Sequence, residues 1–450
     1  MTTAAFDSGQ VTAAPAGAGR LYALFWRWHF LAALIVIPFV LWQSTTGTLY
    51  LWSEWWMDIH HPELRFVTAS ETQVPPSRQI AAAFATLDRG AGPQGAIEHR
   101  HGSHARAAGG SPAFPVLQIL LSDDPHRSTV VLMQGPDELP YPIFVDPYTG
   151  AVLGSLGSGE WLPGISRALH AGWPAGKPGN WLLELGDCWA IVMLVSGLYL
   201  WWPRGRSIWM ALRPRLHAGP RMLVRDLHAT VAVIFAAVLL FFVVSALPWT
   251  AFWGGEVLSR FQLATGQESP AGFSTGGAGA AQIAAAAASI DAVAADARKR
   301  GVKGTLAIQL SPWLDAPLFV TNRTPSLSDD RIVTADALNG KITGDFRNED
   351  LPIIPRLVAI GIHVHQGDFG PVNLWLNTLF AISLIWLSAT GIVSWWIRRP
   401  KGRIGIPPAR RAPWSIGMIG TVVATAVLLP IFGLSVLVIA AGRKLARARA

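Results

Sequence analysis

The sequence predicts a membrane α-helical bundle of four core spans plus a C-terminal fifth, carrying two α+β modules outside the bilayer and built as an internal duplication. Three features predict it: the composition, five long apolar runs, and a matching turn motif in each of the two long segments between runs. The 450 residues are 51% hydrophobic and 14% charged, with a mean hydropathy of +0.34. That is too apolar for a soluble enzyme and too charged for an all-membrane bundle. The single cysteine, Cys188, lies inside an apolar run, which excludes internal disulfides, zinc ribbons and cysteine-ligated iron–sulfur clusters. Any metal chemistry must use histidine or carboxylate.

Spans need roughly 20 apolar residues each. After a cytoplasmic N-terminus (1–27), the first is expected over 28–52, in "WRWHFLAALIVIPFVLW". The roughly twenty residues before it hold no apolar core, so it reads as an uncleaved signal-anchor. An outer segment (53–180) leads to the second span (181–202), a basic loop (203–227) to the third (228–253), and a second outer segment (254–373) to the fourth (374–397). A further basic loop (398–414), a fifth run (415–441) and a basic tail (442–450) complete the chain. The first basic loop holds Arg204, Arg206, Arg213, Arg215, Arg221 and Arg225, and the second holds Arg398, Arg399, Lys401, Arg403, Arg410 and Arg411. Both read as cytoplasmic by the positive-inside rule, which assigns this charge to topology and anionic lipid headgroups rather than to nucleic acid. The fifth run contains Pro430 and is followed by a basic tail that a single crossing would place outside, so it either crosses once, kinked, or bends back as a hairpin; the single kinked crossing is the expectation, because each arm of a hairpin would be too short to span.

The two outer segments carry the motif. "VDPYTGAVLG" (Val145 to Gly154) matches "ADALNGKITG" (Ala335 to Gly344), pairing Asp146 with Asp336 and Gly150 with Gly340. Aspartate opening a tight turn, with glycine at a position needing positive φ, is a hairpin signature. Helical stretches near 77–88 and 281–300 precede strand-like runs such as "PVLQILLS" and "TLAIQLS", giving two small α+β modules. "SGLYLWWPRG" in the second span resembles "ATGIVSWWIRRPKG" in the fourth, so the order span, module, span repeats.

The histidines sort by depth. His29 and His228 open the first and third spans, at the cytoplasmic end; His170 precedes the second span, and His363 and His365 precede the fourth, at the outer end. A single interfacial histidine is usually satisfied by water or headgroups, but paired histidines at repeat-related positions suit a metal cofactor held between facing helices. A bare zinc or iron site wants three or four clustered ligands, whereas haem needs only two axial ones. Two haems b are therefore expected, with His29 and His228 on one and His170 and an outer partner on the other. Arg27 and Arg225, beside the inner histidines, are candidate partners for haem propionates. Glu184 and Asp187 are weaker polar candidates. His99, His101 and His104 read as a solvated insertion.

The stretches "FWRWHFLAALIVIPFVLWQSTTGTLYLW", "WLLELGDCWAIVMLVSGLYLWWPRG", "LHATVAVIFAAVLLFFVVSALPWTAFWG" and "HQGDFGPVNLWLNTLFAISLIWLSATGIVSWW" together resemble the PepSY-associated transmembrane proteins, also called iron-regulated inner-membrane proteins. The resemblance implies an inner-membrane protein with two periplasmic PepSY modules and, for some relatives, haem b and reduction of ferric siderophores. It places the family's ligands on His29, His170, His228 and His365, the last through "H-[EQ]-G". Internal alignment through "PGN" and "PVN" pairs His170 with His363 instead, leaving His363 as an alternative ligand. Electrons would come from a separate cytoplasmic reductase or quinone, since no dinucleotide-binding "GxGxxG" follows a strand. The alternative is an envelope regulator whose spans anchor peptide-binding or protease-regulating modules.

Overall fold

The computed structural model describes residues 16–88, 115–135, 139–205, 207–270, 278–311, 316–408 and 416–448. The histidine-rich insertion with His99, His101 and His104, together with Arg206, Arg410 and Arg411, lies outside them. The first apolar run forms α1 (Ala16–Leu51), whose 36 residues amount to about 54 Å of rise. Short helices α2 (Ser53–His60) and α3 (Pro62–Arg65) follow, then α4 (Pro76–Asp88). Strands β1 (Val116–Leu121), β2 (Thr129–Gln134), β3 (Pro140–Val145) and β4 (Val152–Ser155) lead into α5 (Leu162–His170) and α6 (Gly176–Trp201). Beyond α7 (Ile208–Ala211), the third run divides into α8 (Pro220–Ile234) and α9 (Ala236–Ala246), with a 55° bend at the break.

The second half runs through α10 (Ser259–Thr265), α11 (Ala280–Lys299), β5 (Thr305–Gln309), β6 (Leu318–Arg323), β7 (Arg331–Ala335) and β8 (Ile342–Arg347). It ends in α12 (Ile353–Gln366), α13 (Pro371–Arg398), α14 (Ile416–Leu428) and α15 (Pro430–Ala448). Membrane-crossing length and hydropathy are met by α1, α6, α13 and the bent α8–α9 pair. The alanine-rich α11 also meets them, but its Ile283, Ile290 and Val293 are buried in the core beneath a sheet, so we read it as a soluble-domain helix. The protein is thus a multi-pass membrane protein with four core spans.

By internal contacts the chain forms two units, one of 1–42, 181–244 and 382–450, the other of 43–180 and 245–381. The second unit contains the eight strands found among the described residues. Its aspartate turns form as expected: Asp146 Oδ1 accepts from the Tyr148 N–H at 2.8 Å, Asp336 Oδ1 accepts from Leu338 at 2.8 Å, and Gly150 and Gly340 take φ of 72° and 67°. The expectation of two separate modules is replaced by one eight-stranded antiparallel sheet in the order β4-β3-β2-β1-β5-β6-β7-β8. The seam is the β1–β5 pairing, Gln118 opposite Gln309 and Ile119 opposite Ile308. Kept apart, β1 and β5 would each expose an unpaired edge; pairing removes both. The first four strands and the last four repeat the same sequential pairing, each with a bulge at the last hairpin. Helices α4 and α11 cover one face, burying Ile80, Phe84, Ile283 and Ile290 against Ile119, Val131, Ile308 and Val320. The opposite face of the first four strands is closed by Met57, Leu64 and Trp161 over Val130, Leu132 and Phe144.

The first unit gathers most of the helix length in the spans together with the C-terminal run. Here the run over 415–441, expected as one kinked crossing, divides into α14 and α15 at Leu429. Ala426 and Gly433, seven residues apart, would be about 10 Å apart in a straight helix. Instead a Cβ on Gly433 would lie 3.0 Å from the Ala426 Cβ, so the chain doubles back at Leu429–Pro430. Proline at the first position of α15 cannot continue the α14 hydrogen-bond ladder, and glycine permits the close approach. The vertex docks on α6: Phe432 packs edge-on against Trp189 at 5.4 Å, and Trp189 Nε1 donates to Ser435 Oγ at 3.2 Å.

Candidate functional site: two buried histidine pairs

In the first unit, His29 on α1 and His228 on α8 line one cavity of about 670 Å³, within the roughly 300–1,000 Å³ of ligand pockets. His29 Nδ1 lies 3.0 Å from the Met193 carbonyl and 3.1 Å from Ser196 Oγ, both on α6. His228 Nδ1 lies 2.9 Å from Thr390 Oγ1 on α13. Apolar side chains such as Phe30, Val36, Leu239 and Leu384 form much of the wall. Arg204, Arg225 and Arg398 line the same cavity. Trp201 lines it as well, and its Nε1 is buried without a hydrogen-bond partner among the described residues.

In the second unit, His170 at the end of α5 and His365 on α12 face each other, ring centres 6.3 Å apart and planes at 74°. His170 Nδ1 lies 3.0 Å from Thr46 Oγ1 on α1, and His365 Nδ1 lies 3.1 Å from Ser245 Oγ on α9. Both histidines lie on helices outside the spans. Burial pushes His170 down to about 4; burial and the neighbouring His170 push His365 down to about 3. Both are neutral at pH 7, the form in which imidazole ligates metal.

His363 turns away from this pair, as two residues' separation on a helix requires. Its Nε2 lies 2.8 Å from Asp330 and its Nδ1 3.0 Å from Asp368. Burial opposes its charge, but the two carboxylates win and raise its pKa to about 9. Both nitrogens are engaged, which leaves none for a metal. Arg27 donates to the Pro407 carbonyl and is not among the cavity residues, whereas Arg225 lines the cavity and pairs with Asp226 at 2.9 Å. Glu184 is buried on α6 at 1% exposure, one turn before Asp187. Among the described residues no group of three or more histidine, cysteine or acidic side chains is placed to hold a bare metal ion.

Sequence reasoning missed the hydroxyls, Trp201, Arg204 and Arg398. A signal for the hydroxyls was present: Thr46 follows His29 by 17 residues, and Ser245 follows His228 by 17. Ser196 and Thr390 follow His170 and His365 by 26 and 25 residues. The repeat thus extends to the partners of the histidines.

A multi-pass helical protein with a mixed α/β region and paired histidines is the class these features define. Residues 26–398 match the PepSY-associated TM region, and the chain belongs to that family. No curated protein matches it.

Proposed function

We propose that the protein is an inner-membrane di-haem b electron-transfer protein that reduces a periplasmic ferric complex, a ferric siderophore, in iron acquisition. The observation that carries this reading is the His170–His365 spacing. Two imidazoles that shared one metal, each with a bond of about 2 Å and about 1 Å more to its ring centre, would have ring centres up to about 6 Å apart, against 6.3 Å here. The inner residues fit the same group. Two imidazoles line a cofactor-sized, largely apolar cavity, three arginines offer partners for its carboxylates, and Trp201 Nε1 is a buried donor awaiting an acceptor.

Haem iron held by two imidazoles supplies a one-electron carrier. The chain's own residues hold those imidazoles neutral and oriented, and the apolar helices keep water out. One electron from a cytoplasmic reductase or a membrane quinol converts ferric to ferrous iron, which the hard oxygen donors of a siderophore hold less well. The N-terminus is cytoplasmic in this reading, and the sheet is a periplasmic docking surface built from duplicated PepSY modules. The test is anaerobic mixing of chemically reduced, detergent-solubilised protein with ferric siderophores while the α-band is followed. Reoxidation faster than in His170→Ala supports the proposal. A colourless protein from haem-sufficient cells, or a spectrum that stays reduced against every complex, favours a membrane-anchored peptide-binding or protease-regulating protein.

A further inference from the structure

Each of the four buried histidines meets a serine or threonine through Nδ1. Three of these hydroxyls, those of Ser196, Thr390 and Thr46, also have a backbone acceptor within their own helices. Ser196 Oγ donates to the Met193 carbonyl at 3.0 Å. Thr390 Oγ1 donates to the Trp386 carbonyl at 2.8 Å, with Leu387 at 3.2 Å. Thr46 Oγ1 donates toward Gln43 at 3.4 Å. Such back-bonding to the preceding turn is common for these residues. A hydroxyl has one hydrogen, so toward the ring it can only accept. At His29 the same turn also presents a carbonyl, that of Met193, 3.0 Å from Nδ1. A carbonyl also only accepts, so at His29 two acceptors meet Nδ1 and require a proton there.

The residue after the hydroxyl is glycine in these three cases: Gly47, Gly197 and Gly391. A Cβ at Gly197 would lie 3.1 Å from His29 Cε1, and one at Gly47 3.2 Å from His170 Cε1, whereas at Gly391 the distance to His228 Cε1 is 3.7 Å. Two of the glycines therefore make room for a ring that a methyl group would push aside.

We infer that Thr46, Ser196, Thr390 and Ser245 are positioning residues that hold their histidines as the Nδ1–H tautomer and turn Nε2 toward the metal position. The inference rests on the haem reading for its purpose, while the tautomer itself does not. An outer hydrogen bond of this kind fixes ring orientation and raises ligand basicity, and its loss typically weakens metal binding on the order of 10–100-fold.

Two arms separate the inference from the haem reading. In metal-free protein labelled with ¹⁵N-histidine, Nδ1–H signals are expected that Thr390→Val and Thr46→Val each diminish by one and Thr390→Ser keeps. In haem-loaded protein, Thr390→Val should release haem from the inner pair at least about tenfold more readily and change its low-spin electron paramagnetic resonance signal. The outer pair serves as the internal control for folding, and Thr46→Val should show the reverse. Gly197→Ala and Gly47→Ala should perturb the same signals, and Gly391→Ala should do so least. Valine variants indistinguishable from wild type in both arms overturn the positioning role. A wild type that shows the tautomers but takes up no haem overturns the haem reading and leaves the positioning role supported.

Discussion

A histidine buried among apolar helices must give each ring nitrogen a partner, because an unsatisfied polar group there costs about 1–3 kcal/mol or more. That cost makes the four paired histidines informative, and it made them legible: they are rare and sit at matching positions in a repeated pattern. Their hydroxyl partners were less legible, because serine and threonine in apolar helices commonly bond only their own backbone, and nothing in a single helix shows which ring lies opposite. The arginines divide for a similar reason. Arg27 lies two residues before His29 and Arg225 three before His228, yet only Arg225 lines the cavity, since helix rotation rather than proximity in sequence decides where a long side chain points. At this scale we predict that His29→Ala or His228→Ala removes one of two haem equivalents and spares the other, measured as pyridine haemochrome. Loss of both, or of neither, would sink the pairing.

The elements were legible wherever periodicity and turn chemistry agreed. The aspartate–glycine turns predicted two hairpins from their own residues, and α4 and α11 formed within a residue or two of the expected stretches. The β1–β5 seam was not legible, because antiparallel pairing between distant strands is written in backbone groups every strand possesses. Gln118 and Gln309 are direct partners there, so Gln118→Cys with Gln309→Cys should cross-link under mild oxidation. The one native cysteine, Cys188, is buried and does not compete. A cross-link seen only between molecules would restore two separate modules. A second element-scale prediction concerns α2, whose Asp58 pairs with Arg65 at 3.0 Å and with Arg127 Nη2 at 2.8 Å. Burial would raise its pKa, but the Arg127 and Arg65 hydrogen bonds outweigh it and hold the carboxyl below its ordinary value. A depressed folded value means the stabilisation is present above the unfolded carboxylate pKa of about 4 and fades as pH falls below it. Asp58→Asn should therefore lower the thermal midpoint at pH 7, with the gap to wild type closing in acid; a gap independent of pH would show that the ion pairs are not its source.

For the whole molecule the decisive question is on which side each segment lies, and the C-terminal run bears on it most directly. Read as a single crossing, this run would deliver Arg443 and Lys444 to the side the positive-inside rule disfavours. The doubled-back α14–α15 pair removes that conflict, because a hairpin returns the tail to the side from which it entered, the side of the arginine-rich loop after α13. Its arms are short for a bilayer core of about 30 Å: α14 has 13 residues, and α15 gains charge before its 19 residues are complete. The pair therefore reads as a re-entrant hairpin whose vertex is held by the Phe432–Trp189 contact. The sequence contained both halves of this conclusion, Pro430 and the basic tail, but the contact between Ala426 and Gly433 that decides it exists only once the chain has turned. The prediction is that reporter fusions after Arg403 and at the C-terminus both report cytoplasm, while fusions near Gly110 and Gly276 report periplasm. Trp189→Ala, by loosening the vertex, should make the hairpin more accessible to protease in membrane vesicles without changing the sidedness of the Arg403 fusion. A periplasmic C-terminus in wild type would overturn the hairpin in the membrane and return the run to a single crossing.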